Sequence, residues 1–228
     1  MNKPIHEREL PDGVWRELLP HALRIITEIK NHGMSDPFWT FGGGTVLMLR
    51  YQHRLSKDID IFVPDPQYLG FVTPRLSDVA ADISSRYVED QNSYVKLIRP
   101  EGEIDFVASP NLTKPGYEMW NIFGDAIRVE TAVEIVAKKL WHRGDRAAAR
   151  DLFDLSLVIE REPKELQSAR LFLLRHADQF IEQIHSRAHV LKPQFNEIDV
   201  LSYSPSYDEA VERVTGFLEA LKHDQLQS

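Results

Sequence analysis

Residues 42–62, GGGTVLMLRYQHRLSKDIDIF, run from three glycines and a threonine through an apolar segment to two aspartates, Asp58 and Asp60, split by one isoleucine. Side chains alternate across a strand, so in DIDIFV (58–63) both aspartates take one face and Ile59 and Ile61 the other. Carboxylates about 7 Å apart along one face repel each other. A divalent cation removes that cost, because Mg²⁺ takes hard oxygen ligands, typically one or two carboxylates together with substrate phosphates. An edge strand with its polar face in water would give the same pattern.

A second strand repeats the arrangement. In GEIDFVAS (102–109), Asp105 stands between Ile104 and Phe106, and Glu103 shares its face, either as a further ligand or as a solvated residue. Three inward carboxylates on neighbouring strands are enough to hold two Mg²⁺ ions, which clamp the attacking and leaving oxygens of a phosphoryl displacement. Gly43, Gly44 and Thr45 then acquire a role. A glycine turn opening a helix lets backbone N–H groups approach phosphates, and the helix N-terminus favours negative charge. The turn is neither a P-loop nor a GxGxxG fingerprint, so its weight comes from lying one helix before the aspartate pair.

Outward from this centre, residues 14–30 have helical apolar spacing (Leu18, Leu23, Ile26, Ile29), with Pro20 as a kink and Asn31-His32-Gly33 as the stop. FWTF (38–41) reads as a short strand, TVLMLRYQ (45–52) as a helix, and 58–63 as a strand closed by Pro64. Residues 76–87 read as a helix, 93–109 as two strands joined by a Pro-Glu-Gly turn, and 119–130 as a hairpin. Beyond residue 130 the pattern is helical: 130–143, 146–161, a long segment near 165–187, and 208–222 after Pro205. The expected organisation is an α/β part over 1–130 and a helical part over 131–228, packed together.

Composition narrows the chemistry. With 43% apolar and 27% charged residues in 228, the chain is an ordinary globular one. It has no cysteine, which removes disulfides, thiolate catalysis and Cys-ligated metals. No apolar run is long enough for a membrane span, and MNKPIHEREL carries no apolar signal segment, so a cytoplasmic protein is expected. The net charge of −8 speaks against a general nucleic-acid binder, yet residues 138–150 set five Lys or Arg against one Asp. That stretch is either a solvated helix face or a contact for an RNA backbone. The histidines show no HExxH spacing, no GxSxG serine site occurs, and Ser56 is expected to shape the loop or touch phosphate.

Glycine turn, helix, Asp-x-Asp strand and later Asp strand together resemble the polymerase-β-like nucleotidyltransferase superfamily. His53-Arg54, Ser56 and Asp58-Ile59-Asp60-Ile61-Phe62 resemble, more closely, the signature of the AbiEii/AbiGii nucleotidyltransferase toxins. A second motif follows in order, with matching positions at Glu134, Lys139, Arg143, Arg150, Asp151 and Asp154. The resemblance covers residues 38–157. It implies an α+β fold, a nucleotidyltransferase core with a short mixed sheet followed by a helical C-terminal part that contributes Lys, Arg and Asp to the cleft. It implies Mg²⁺ or Mn²⁺ on Asp58, Asp60 and Asp105, with Asp105 also the general base. Gly43, Gly44 and Thr45 would cradle the β,γ-phosphates of an NTP, with Lys139 neutralising them and Arg143 beside it. It further implies a type IV toxin with a separate antitoxin and an RNA acceptor, the acceptor end of tRNA.

The residues around the second motif agree with this. Val133, Val136, Ala137 and Leu140 form an apolar stripe flanked by Lys139 and Arg143. Lys138, four after Glu134 on the other side, reads as half of a surface pair. Asp151 and Asp154 share a helix face, where they either pair with Arg143 or Arg150 or orient Lys139. Two rival functions carry the same residues: transfer to a small molecule such as an aminoglycoside, and nucleotide binding without catalysis.

Overall fold

A computed structural model describes residues 10–31 and 36–225; the expected stop at His32-Gly33 and most of MNKPIHEREL fall outside them. The chain divides into two compact units, one of residues 1–49, 56–111 and 117–130, the other of 50–55, 112–116 and 131–228.

The first unit is built on a mixed seven-stranded sheet. In chain order its elements are α1 (Trp15–Asn31), β1 (Thr40–Gly42), α2 (Gly43–Tyr51, whose last two residues belong to the second unit), β2 (Ile59–Val63), α3 (Leu69–Val72), α4 (Asp78–Ile83), β3 (Tyr87–Asp90), β4 (Tyr94–Ile98), β5 (Glu103–Ala108), β6 (Tyr117–Ile122) and β7 (Asp125–Glu130). The strand order is β3-β4-β5-β2-β1-β7-β6. β2 pairs parallel with β5 and antiparallel with β1. The strand with the aspartate pair is therefore the middle one, not an edge strand.

Alternation divides the sheet into two faces. Phe41, Ile61, Phe106 and Val95 make one cross-strand row and are all buried, as are Ile59, Ile104 and Leu97 in the next. α1 and α3 pack on these strands. α1 buries Trp15, Leu18, Leu19, Ala22, Ile25, Ile26 and Ile29, and runs unbroken through Pro20. Pro20 is exposed, so the carbonyl it leaves without an N–H partner lies on the solvated side. The opposite row, one residue out of phase, is polar.

Two expectations change here. The helix over 76–87 is only α4, because Ser84 ends it and Tyr87 starts β3, a strand the sequence pattern did not mark. The Ser84 hydroxyl lies within hydrogen-bond reach of the Arg86 and Ile98 carbonyls and ties the turn to β4.

The second unit is helical: α5 (Ala132–Arg143), α6 (Ala149–Arg161), α7 (Arg170–Leu174), α8 (Ala177–Ser186), α9 (Ala188–Asn196) and α10 (Tyr207–Gln225). Thr131 caps α5 by accepting from the Glu134 N–H at 3.1 Å. The segment expected as one helix near 165–187 is broken into a 3₁₀ turn, α7 and α8. Among the described residues no helix is long and apolar enough to cross a membrane.

Candidate functional site

The sheet register sets four strands' residues in one row: Gly42 on β1, Asp60 on β2, Asp105 on β5 and Lys96 on β4. Asp60 and Asp105 are direct neighbours on parallel strands. Asp58 precedes β2, and its Oδ1 accepts the Glu103 N–H at 3.1 Å, which locks the entry of β2 to that of β5. Asp60, Glu103 and Asp105 thus share the polar face, with Asp58 at the entry of β2.

The Lys96 ammonium donates to Asp105 Oδ2 at 2.9 Å and to the Glu103 carboxylate. Burial works against its charge, but the two carboxylates outweigh that and hold Lys96 above its ordinary value. Asp105 is pushed up to about 7, first by burial and then by the Asp60 charge, against the pull of Lys96. Its Oδ1 is buried without a hydrogen-bond partner.

The glycines make room for this group. Gly43 has φ +72°, in the left-handed region, where the chain swings from β1 into α2. A Cβ there would lie 1.8 Å from Asp60 Oδ2, so the missing side chain is where the carboxylate fits. A Cβ on Gly42 would meet Glu130 Oε2 at 2.2 Å. Glu130 is fully buried and accepts from the Thr40 hydroxyl at 2.8 Å. Thr45 fastens α2 to the aspartate strand: its hydroxyl donates to the Asp58 carbonyl at 2.5 Å and lies 3.1 Å from the Ser56 hydroxyl. The first N–H groups of α2, from Gly44 and Thr45, have no partner within the helix.

The second unit holds another buried cluster. Arg54 donates to both oxygens of Asp154, at 2.7 and 2.8 Å, and His53 Nε2 donates to Oδ1 at 2.9 Å. Lys139 bridges Asp154 at 2.8 Å and Asp151 at 2.6 Å, and Arg143 donates to Asp151 at 2.7 Å. Burial alone would raise Asp154; the charges of Arg54 and Lys139 overcome it and hold the carboxyl well below the usual range. Asp151 is lowered in the same way by Lys139 and Arg143, again against burial. His53 is held below its ordinary value by burial, which outweighs its hydrogen bond to Asp154.

The profile of the family described as nucleotidyl transferase AbiEii toxin, type IV toxin–antitoxin system, matches residues 24–224. The chain belongs to this family. It is accordingly a nucleotidyltransferase toxin. Among solved structures, MenT4, a nucleotidyltransferase toxin of Mycobacterium tuberculosis H37Rv, is similar at 17% identity over 91% of this chain and 84% of its own, with a TM-score of 0.53. At that identity the likeness is one of fold. A Helicobacter pylori protein provisionally named a nucleotidyltransferase is similar at 18% identity over 92% and 96% of the two chains, with a TM-score of 0.48. No curated protein matches the sequence.

Within this AbiEii-family chain the residues singled out from sequence fall into two groups. Asp58, Asp60, Asp105, Gly43, Gly44, Thr45 and Ser56 belong to the first unit, and Arg54, Glu134, Lys139, Arg143, Arg150, Asp151 and Asp154 to the second. Glu134 accepts from the Leu112 and Thr113 N–H groups at 2.8 and 2.7 Å, and so anchors that loop. Arg150 is exposed. Lys138 is not a surface residue: it is buried 3.5 Å from the equally buried Glu134.

Among the described residues, no three His, Cys, Asp or Glu side chains converge as a ready cation cage. The donor chemistry nonetheless suits a hard divalent ion. Asp60 and Asp105 stand abreast, and Asp105 keeps a buried oxygen unpartnered. Sequence reasoning missed Lys96 and Glu130. For Lys96 the signal was present, since pairing 93–98 with 103–108 across the Pro-Glu-Gly turn sets it opposite Asp105.

Proposed function

We propose that the chain transfers a nucleoside monophosphate from an NTP to an acceptor hydroxyl, and that the acceptor is RNA, at the acceptor end of tRNA. One observation carries the reading: Asp60 and Asp105 are held side by side on the central strands, with the Gly43 turn closed against Asp60. Asp58, Asp60 and Asp105 would hold Mg²⁺ or Mn²⁺, which would supply positive charge to the reacting phosphate and the departing pyrophosphate.

The chain's own residues do the rest. Asp105 Oδ1, buried and unpartnered, takes the proton of the acceptor hydroxyl. The oxygen so activated attacks the α-phosphorus, and pyrophosphate leaves. Gly43, Gly44 and Thr45 present backbone N–H groups to the β,γ-phosphates. Lys139 and Arg143 are the cations proposed for the triphosphate, on the family resemblance, with Asp151 and Asp154 orienting Lys139. Catalysis is then positioning and charge neutralisation. The basic stretch 138–150 supports an RNA backbone as partner, a separate antitoxin restrains the activity, and the absence of cysteine supports a cytoplasmic setting.

The test is transfer from each α-labelled NTP, with Mg²⁺ or Mn²⁺ and total RNA, beside Asp58→Ala and Asp60→Ala. Label in a tRNA-sized band with wild type alone is the expected result. Full transfer by either variant would sink the mechanism, and label on a small molecule alone would replace the acceptor.

A further inference from the structure

Asp60, Glu103 and Asp105 share the polar sheet face with the Lys96 ammonium, which pairs with Glu103 and Asp105. That ammonium is fixed by the ladder. Lys96 lies directly across from Asp105 in the antiparallel β4–β5 register, and Glu103 is on the same face two residues before Asp105. It grips Asp105 through Oδ2 only, so the carboxylate is oriented while Oδ1 stays buried and unpartnered. An ammonium has donors and no acceptor. It cannot ligate a cation, and its charge repels one arriving at Asp105.

We propose that Lys96 is a positioning residue for Asp105 and a resident counter-ion that weakens, and so sets, the affinity of the carboxylate row for a divalent cation. The proposal rests on the cation reading above. Without Lys96 the row carries one uncompensated charge more, and a cation binds more tightly. Asp105, no longer held by its Oδ2, then meets the acceptor hydroxyl less often in the productive orientation. Lys96 thereby trades metal affinity for an ordered base.

The experiment titrates Mn²⁺ into the chelator-treated full chain by calorimetry, with and without a non-hydrolysable nucleoside triphosphate. It compares wild type, Lys96→Met, Lys96→Gln, Lys96→Arg and Asp60→Asn. Lys96→Met and Lys96→Gln should bind Mn²⁺ roughly tenfold more tightly, as expected for removing one nearby like charge at a half-buried site. Lys96→Arg, which keeps the charge, should stay within about twofold of wild type. In transfer assays the Met and Gln variants should lose kcat with little change in nucleotide KM, and Arg should restore part of it. Lys96→Gln keeps the test alive if Lys96→Met does not fold. Unchanged or weaker Mn²⁺ binding in the folded neutral variants overturns the inference and leaves the cation reading standing. No Mn²⁺ binding by wild type, identical to Asp60→Asn, overturns both.

Discussion

The two carboxylate clusters are neutralised to opposite degrees. In the second unit, Asp151 and Asp154 are buried and share Arg54, Lys139, Arg143 and the His53 N–H, and their carboxyls are lowered. In the first unit, Glu103 and Asp105 share Lys96, and Asp105 is raised. Burial pushes Asp105, Asp151 and Asp154 the same way, so the neighbouring charges decide the sign. In the second unit each buried carboxylate is matched by at least two cations. In the first unit the pull of Lys96 does not overcome burial and the Asp60 charge, and Asp105 remains a carboxyl able to accept a proton near neutrality.

The largest effect should come from breaking the satisfied cluster. Asp154→Ala leaves the Arg54 guanidinium, 3% exposed, and Lys139 without their shared carboxylate. Removing one member of a buried ion network costs about 3–5 kcal/mol. Urea denaturation followed by far-UV circular dichroism at pH 7 should show a loss of that size. Because the Asp154 carboxyl is depressed in the folded chain, its contribution is present above the ordinary value of 3.8 and is lost as pH falls through the folded value. The gap between wild type and variant should therefore narrow only below about pH 4. A variant as stable as wild type at pH 7 would erase the contrast between the clusters.

The next effect tests how the unsatisfied cluster is accommodated. Asp60 fits into the space left by the missing side chain of Gly43. Gly43→Ala puts a Cβ 1.8 Å from Asp60 Oδ2 at a φ of +72°. Left-handed backbone at a non-glycine residue costs about 1–2 kcal/mol, and the clash adds to it. The expected outcome is a Tm lowered by several degrees and transfer reduced at least about tenfold, because Asp60 must move away from Asp105. Wild-type turnover from Gly43→Ala would show that the fit of Gly43 to Asp60 has no bearing on the chemistry.

How much of this contrast is readable without coordinates depends on whether local spacing or long-range pairing decides it. The sharing of a face by Asp58 and Asp60, and by Glu103 and Asp105, follows from period-two alternation, and the glycine turn before α2 from residue type alone. That β2 lies in the middle of the sheet does not follow, because strand order is set by pairings between segments some forty residues apart in sequence. The edge-strand alternative was open for that reason, and only the order of strands removes it. Lys138 shows the same limit. Its i, i+4 spacing from Glu134 was legible, but its burial was not, because spacing along one helix does not show what packs against it. β3 was missed because YVED is short and half-exposed and follows directly on a helical pattern. The resemblance named the right family from the motif residues. It did not contain Lys96, which the motif leaves out and which only the β4–β5 register brings to the site.

The smallest expected effect bears most directly on the comparison. Asp105→Asn keeps the shape of the side chain and an acceptor for Lys96 but removes a charge that burial and Asp60 disfavour. The folded carboxyl lies at about 7 against an ordinary 3.8, so between those values the folded chain binds more protons than the unfolded one. Wild-type stability from this group is therefore greatest below about pH 4 and falls as pH rises toward 7. The amide has no such slope. Measured in chelator, Asp105→Asn should be as stable as wild type near pH 4 and more stable at pH 8. Added Mn²⁺ should then stabilise wild type more than the variant, since the ion restores the missing charge only where the carboxylate remains. If Asp105→Asn instead destabilised the chain at pH 8 as Asp154→Ala does, the carboxylate row would be a structural joint like its counterpart in the second unit, already balanced by Lys96 and with nothing left for a cation to complete.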